Sequence, residues 1–229
     1  MRAPAKTVSE AINSRISVRA FSNRPVDPAL VRRLLDAARQ SPSGGNVQPW
    51  HLTVLGGEPL AQLKAQMLAR APQGLRSPQG QGYDVYPRDL KEPYAARRGK
   101  CGEDMYATMG IERADKPARI AWVLRNYQFW DAPVGIFVSI DRSMGPPQWS
   151  DLGMYVQTFM LLAREAGLDT CPQECWTNWS TEVSGFIGLP ENMLLFCGIA
   201  LGYADESHPV NTLRTERAPL GEIATFVGI

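Results

Sequence analysis

Apolar residues recur along this chain with two different spacings, which predict helices and strands. Positions three and four apart predict helices over Thr7–Ser14, Pro28–Arg39, Pro59–Arg70, Lys116–Leu124, Asp151–Gly167 and Thr181–Ile187. Short apolar runs predict buried strands over His51–Leu55, Pro133–Ile140 and Leu194–Leu201. Helices that alternate with three or four short strands indicate an α+β or α/β domain.

Two of these helices have clear ends and faces. Asp27 is the expected N-cap of the second helix, and Pro28 occupies its first position. Its predicted core face consists of Leu30, Val31, Leu34, Leu35 and Ala38. After the turn at Gly56-Gly57, the third helix should point Leu60, Leu63, Met67 and Leu68 inward.

The helix over Asp151–Gly167 is apolar almost all the way round, so it must be covered on every side. Periodicity alone leaves two arrangements open. The helix is either central within one subunit or part of a subunit interface.

The segment from Ala71 to about Arg98 has a different composition, rich in Pro, Gly, Gln, Tyr and charged residues. A disordered surface loop is one interpretation, but its tyrosines favour a long ordered excursion. Including the residues up to position 130, this excursion is predicted to cap a site within a single domain of residues 1–229.

A polar loop, Ser41-Pro42-Ser43-Gly44-Gly45-Asn46-Val47-Gln48-Pro49-Trp50, lies between the second helix and the first strand. Its exposed backbone amides and short side-chain amides are donors and acceptors, and two prolines fix its course. It is either an ordinary connector or a binding loop for a flat, polar ligand.

Charge and cysteine content exclude several classes of function. A net charge of +1 over 229 residues gives no reason to expect a nucleic acid or an anionic membrane as partner. The start of the chain does not resemble a signal peptide and no apolar run is long enough to span a bilayer, so we expect a cytoplasmic protein. Cys101, Cys171, Cys175 and Cys197 with only two histidines do not form a zinc motif, and no metal site is predicted.

Two arginine clusters lie far apart in the sequence. Arg15, Ser17 and Arg19 alternate near the N-terminus, and Arg214 and Arg217 lie near the C-terminus. Taken separately, each cluster is typical of solvated surface charge. If they meet in the fold, their guanidinium groups and the hydroxyl would suit a phosphate.

Common catalytic motifs are missing from the sequence. It has neither G-x-G-x-x-G nor a P-loop, and no G-x-S-x-G elbow. His51 and His208 lack the context of a triad, while Asp27, Asp36 and Asp151 are explained by capping or solvation. A phosphate site with few catalytic side chains indicates an enzyme whose cofactor carries the reaction.

Five ordered segments resemble the FMN-dependent nitroreductases, and the match covers nearly the whole chain. Arg15-Ile16-Ser17-Val18-Arg19 resembles the family's phosphate signature, and Pro42–Trp50 is similar to its loop over the flavin ring. Gly167–Glu174 resembles its turn on the other side of the flavin. Gly198–Tyr203 is similar to its closing strand, and Arg217-Ala218-Pro219-Leu220 carries a matching arginine.

The resemblance implies an α+β, nitroreductase-like fold with a central mixed sheet flanked by helices, in an interlocked homodimer with FMN sites at the interface. It implies that the FMN phosphate is held by Arg15, Ser17, Arg19 and Arg217. Asn46 and Gln48 would contact the ring or ribityl, and Pro42 and Ser43 would approach from the second subunit. Pro172, Gln173 and Glu174 would border the flavin, with no catalytic side chain required, because the backbone amide near Glu174 would donate to N5.

Some positions depart from the family pattern. Cys175 stands where glycine is frequent, and Thr215 where some members carry a lysine, so Arg214 is a candidate replacement. The excursion precedes the strand at Val134, whereas well-known bacterial members place their cap after it. Its aromatic residues either pack the excursion or line the pocket, the candidates for substrate contact being Tyr83, Tyr86, Trp122 and Phe129.

Tyr86-Pro87 with Glu92-Pro93-Tyr94, followed by 137–149, most resembles a branch that reduces nitrobenzoates and related nitroaromatics. The resemblance therefore implies a ping-pong enzyme that passes hydride from NADPH or NADH through FMN N5 to a small aromatic nitro compound, giving nitroso and hydroxylamine products. Three alternatives stay open: reduction of quinones or activated alkenes, oxygen-dependent flavin breakdown, and a non-catalytic flavin-binding protein.

Overall fold

Local sequence sets where the first helices begin. In the computed structural model, which describes residues 2–80 and 82–229, helix α1 (Val8–Ser14) is capped by Thr7, whose side chain accepts a hydrogen bond from the Glu10 amide at 3.1 Å. Helix α2 (Pro28–Ala38) begins after Asp27, whose carboxylate accepts from the Ala29 amide at 2.8 Å. Both caps satisfy amides that have no partner within the helix.

Four strands form one sheet, in the order β1 (His51–Gly56), β2 (Val134–Asp141), β4 (Met193–Gly202), β3 (Asp169–Gln173). All three pairings are antiparallel, so the predicted mixed sheet is wrong for the described chain. Outside the named strands, an isolated parallel bridge joins Ser17 to Thr170. The α+β class is confirmed.

The remaining helices surround this sheet. They are α3 (Gly57–Arg70), α4 (Tyr94–Thr108), α5 (Lys116–Leu124), α6 (Pro146–Glu165), α7 (Ser180–Ile187) and α8 (Leu220–Ile223). Short 3-10 segments occupy Gly44–Asn46, Ala71–Gln73, Arg125–Asp131, Glu174–Trp179 and Pro209–Thr212. No helix in the described ranges is long and apolar enough to cross a membrane.

Strand β2 separates two cores because alternate residues point to opposite faces of the sheet. Ile136, Val138 and Ile140 pack with α2 and α6, while Phe137 packs with an aromatic cluster on the other face. Both faces of β2 are therefore buried, which explains its nearly continuous apolar sequence.

Three predictions about local structure are wrong. Residues 169–173, expected to form a turn, are strand β3, which pairs with β4 at one edge of the sheet. Helix α4 lies inside the excursion and was not predicted, since none of its residues is fully buried and its apolar pattern is weak. Leu68 is 63% exposed, whereas Leu60, Leu63 and Met67 point inward as predicted.

Candidate functional site

The arginine segment after α1 is positioned by the buried residue between its two arginines. Val18 is fully buried, and its amide donates to the Thr170 carbonyl of β3 at 3.0 Å. With Ser17 bridged to Thr170, the segment is extended, so alternate side chains point in opposite directions. Arg15, Ser17 and Arg19 therefore share the face opposite Val18.

The structure brings the two arginine clusters together around one cavity of about 620 Å³. Its lining includes Ile12, Asn13, Arg15, Ser17, Arg19, Cys101, Gln157, Arg214, Thr215 and Arg217. The sequence separation is nearly 200 residues, so this meeting is a property of the fold. The two arginine clusters therefore meet in the fold, as the predicted phosphate site requires.

The charge in this cavity is not neutralised by the protein. Within residues 2–80 and 82–229, none of the four arginines forms an ion pair with a carboxylate. Arg214 and Arg217 donate only to oxygens of their own segment, including the Thr215 hydroxyl at 2.7 Å. Burial, and then the nearby charge of Arg217, lower the pKa of Arg15. Such a group of cations is stabilised by a bound anion.

Asn211 connects the two clusters and was missed from the sequence. Its side-chain oxygen accepts from the Arg19 amide at 3.0 Å, and its side-chain nitrogen donates to the carbonyls of Ala20 and Asp205, each at 2.8 Å. Its own carbonyl accepts from Arg214 at 3.1 Å. An asparagine in a loop carries no sequence signal for this role, because the role depends on contacts across 192 positions.

The polar loop is preorganised and exposed. Gln48 and Asn46 have left-handed backbone angles, with φ of 53° and 56°, which side chains other than glycine rarely adopt. The Ser43 hydroxyl accepts from the Gln48 amide at 3.0 Å, and buried Asp151 accepts from the Gly44 amide at 3.3 Å. The side chains of Asn46 and Gln48 remain accessible. The loop does not line the arginine cavity of its own chain.

Strand β3 leads directly into the 3-10 segment that begins at Glu174. The Gln173 side chain is buried, donating to the Asn126 carbonyl at 2.7 Å and accepting from Trp176 at 3.3 Å. The Gln173 side chain is therefore not available to a ligand. Burial raises the pKa of the Glu174 carboxyl, although part of this side chain is open to solvent. The predicted contacts of Pro172 and Glu174 with a cofactor stay predictions.

Two predicted substrate contacts are wrong. Phe129 has no exposed surface and packs against Phe137 and Trp176. Trp122 is also buried, with its ring 5.0 Å from that of Trp130. Both side chains fill the aromatic core under the sheet, where no substrate contacts them.

The two tyrosines of the excursion differ from each other. Tyr83 donates its hydroxyl to the Phe196 carbonyl at 2.5 Å and packs edge-on against Trp149, so it anchors the excursion to the sheet. Tyr86 is exposed, with the Arg98 guanidinium 4.2 Å from its ring centre. Of the four aromatic candidates, Tyr86 has the side chain most available to a ligand, and its role stays a prediction.

The chain is similar in sequence to known proteins along most of its length. A model described as the nitroreductase family matches residues 12–203. The chain is similar to a 4-nitrobenzoate reductase of Pseudomonas putida, at 36% identity over 95% of this chain and 94% of the relative. It is also similar to a chloronitrobenzene nitroreductase of Comamonas testosteroni, at 34% identity over 96% of each chain.

The fold is similar to solved structures along nearly its full length. An FMN and NADPH-dependent nitroreductase, NfnB from Sphigopyxis sp. strain HMH, superposes with a TM-score of 0.93 at 44% identity, covering 97% of this chain and 100% of the other. NfnB from Mycobacterium smegmatis, solved in complex with NADPH, gives a TM-score of 0.90 at 27% identity, covering 96% and 97%.

Proposed function

Since the chain belongs to the nitroreductase family, we propose that it is an FMN-dependent enzyme that uses NADPH or NADH to reduce nitroaromatic compounds. The observation that carries this proposal is the arginine cavity. It combines four unneutralised guanidinium groups with the Ser17 hydroxyl, in a chain that is similar to a 4-nitrobenzoate reductase and to an FMN and NADPH-dependent nitroreductase.

The residues of the cavity fit a phosphate in number and chemistry. Arginine forks donate two hydrogen bonds to adjacent phosphate oxygens, and a dianionic phosphate would offset the mutual repulsion of Arg15 and Arg217. We assign Arg15, Ser17, Arg19, Arg214 and Arg217 to the phosphate of FMN. Thr215, which already accepts from Arg217, orients that guanidinium rather than supplying a further charge.

Other segments of the chain would hold and orient the rest of the cofactor. The exposed amides of Asn46 and Gln48 offer hydrogen bonds to its ring or ribityl, and Pro42 and Ser43 add backbone groups from the second subunit. Bound FMN would supply the hydride chemistry, from NADPH or NADH to the nitro group. The backbone amide near Glu174 would donate to the flavin ring, and aromatic stacking would hold the substrate, so no general acid from the chain is required.

A homodimer is part of this proposal. On the outer stripe of α6, Met154 is exposed and Leu161 is half-buried, and near this stripe lie the exposed Ile12 and the cavity residue Gln157. A second copy would cover this stripe and close the cavity, as the apolar sequence of α6 demands. The cytoplasmic location likewise stays a prediction.

The C-terminal tail favours the interlocked form of dimer. Phe226, Val227 and Ile229 are exposed, and β1 is a sheet edge whose outer side borders an apolar cavity of about 760 Å³. An exposed apolar tail and an open sheet edge can pair with each other across two copies of the chain. Deleting residues 225–229 should convert the dimer to monomer in analytical ultracentrifugation. A full-length chain that sediments as a monomer would refute the dimer.

The arginine assignment is tested by replacing Arg15 and Arg19 together with alanine. We expect a folded protein that purifies without flavin colour, while the control that replaces Arg33 and Arg39 on α2 retains it. Full FMN occupancy in the first variant would disprove the assignment.

Turnover separates the remaining alternatives. Product analysis under anaerobic and aerobic conditions distinguishes nitro reduction from quinone or alkene reduction and from oxygen-dependent flavin breakdown. A non-catalytic flavin-binding protein would bind FMN but would not be bleached by NADPH.

A further inference from the structure

Helix α4 of the excursion borders the arginine cavity. Cys101, near the middle of α4, lines the same cavity as Arg15, Arg19, Arg214 and Arg217. The sequence suggested that the excursion caps a substrate site. In the structure, this part of it lies against the proposed phosphate site instead.

Two ion pairs join α4 to the C-terminal segment that carries Arg214 and Arg217. The Arg97 guanidinium lies 2.6 Å from the Glu222 carboxylate, and the Lys100 ammonium lies 3.5 Å from the carboxylate of Glu216. In the sequence, Glu216 precedes Arg217 and Glu222 follows it. The segment therefore meets α4 both before and after its phosphate-binding arginine.

The C-terminal segment needs such support. Beyond Asn211, no residue of the described C-terminus is fully buried, so packing contributes little to its position. Repulsion among four guanidinium groups pushes Arg214 and Arg217 away from Arg15 and Arg19 when no anion is bound. An opposing attraction is required to keep the cavity assembled.

Helix α4 is itself fastened to the body of the protein. Arg119 of α5 donates to both carboxylate oxygens of Glu103 at 2.7 Å and lies 4.2 Å from the ring centre of Tyr106. Met105 and Tyr106 pack against the aromatic core. A helix held in this way can support the C-terminal segment.

We propose that α4 is a clamp for the cofactor's phosphate site, in which Arg97 and Lys100 hold Glu222 and Glu216 so that Arg214 and Arg217 stay over the cavity. These four are positioning residues, which act through the arginines. The inference rests on the proposed function, since the ligand that the clamp retains is FMN.

A charge-swap cycle on the Arg97–Glu222 pair tests the clamp. Arg97→Glu and Glu222→Arg should each raise the dissociation constant of FMN about two- to fivefold, the range expected for one exposed ion pair. The double variant should return to within about twofold of the unaltered protein, because the pair is restored with reversed signs. FMN fluorescence quenching measures the affinity, and thermal unfolding of the FMN-free variants confirms that each is folded.

A matched control is the Asp36–Arg39 pair on α2, which is exposed, has a 2.6 Å contact and lies outside the cavity lining. Reversing either charge there should leave FMN affinity unchanged. Alkylation of Cys101, followed by peptide mass mapping, gives a second readout. Bound FMN should slow it in the unaltered protein and slow it less in the Arg97→Glu variant.

The outcomes distinguish the clamp from the function on which it rests. If the unaltered protein binds FMN but both single variants bind it equally well, the clamp is wrong and the proposed function stands. If the double variant is as weak as the two single effects combined, the residues act separately and the clamp is wrong. If the unaltered protein takes up no FMN, the proposed function fails and the clamp fails with it.

Discussion

Gly198 on β4 provides a sharp test of how the aromatic core supports the segment around Gln173 and Glu174. A Cβ atom at this position would lie 2.4 Å from Cδ1 and 2.6 Å from Nε1 of Trp176. Trp176 has no exposed surface, and its indole nitrogen donates to the Gln173 side chain at 3.3 Å. The indole ring therefore cannot move aside without disturbing the segment around Gln173 and Glu174.

The magnitude of a Gly198→Ala substitution follows from two terms. Overpacking a close-packed core costs about 1–3 kcal/mol. Weakening the Trp176–Gln173 hydrogen bond costs about 1 kcal/mol more. The sum of about 2–4 kcal/mol corresponds to a fall in Tm of roughly 4–16 °C for a chain of this size.

Thermal unfolding of the FMN-free protein, followed by circular dichroism, measures this effect. The matched control is Gly185→Ala on α7, where a Cβ would meet nothing within 4 Å. That change should be neutral or stabilise by up to about 1 kcal/mol, because alanine favours helix. If Gly198→Ala unfolds at the same temperature as the control, the described packing of Trp176 against β4 is refuted.

Three further predictions follow from charges and burial. Arg15→Gln should weaken FMN binding about 10- to 100-fold in fluorescence titration, since a charged hydrogen bond is lost. The same change should stabilise the FMN-free protein slightly, because it relieves the repulsion between Arg15 and Arg217. An FMN affinity equal to that of the unaltered protein would contradict this prediction. Arg164→Met should lower the unfolding free energy by about 3–5 kcal/mol in urea titration, because it leaves Arg2 as the only ion-pair partner of buried Asp169 within residues 2–80 and 82–229. A loss under 1 kcal/mol would contradict this. The free energy of unfolding should fall as pH rises above about 9. Burial raises the pKa of Cys171 and raises that of Tyr155 to about 12, so the folded state keeps protons that the unfolded state releases. A urea midpoint that stays constant from pH 7 to 10.5 would contradict this prediction.

The sequence predicts the parts of the fold in which local signals agree. Helix α2 has a capping aspartate, an N1 proline and an apolar face, and its observed bounds differ from the prediction by one residue. Strand β3 gives no such signal, because it contains Pro172 and polar residues and owes its extended form to pairing with β4. A proline is tolerated there because β3 lies at the sheet edge.

The candidate site is predictable only in part, for a similar reason. Arg15, Arg19 and Arg217 are visible as clusters, but their meeting depends on the sheet and on Asn211, which no local pattern identifies. Phe129 illustrates the opposite error. An aromatic residue in a polar excursion suggests a binding surface, whereas its ring packs over Gly135, at a position that only the fold determines.

The most direct test of the central claim is an anaerobic stopped-flow absorbance measurement on the purified protein loaded with FMN. The account predicts that NADPH or NADH bleaches the flavin bands and that a nitrobenzoate then restores them. A protein that takes up no FMN, or that keeps its flavin bands unchanged after both reductants are added, would contradict it.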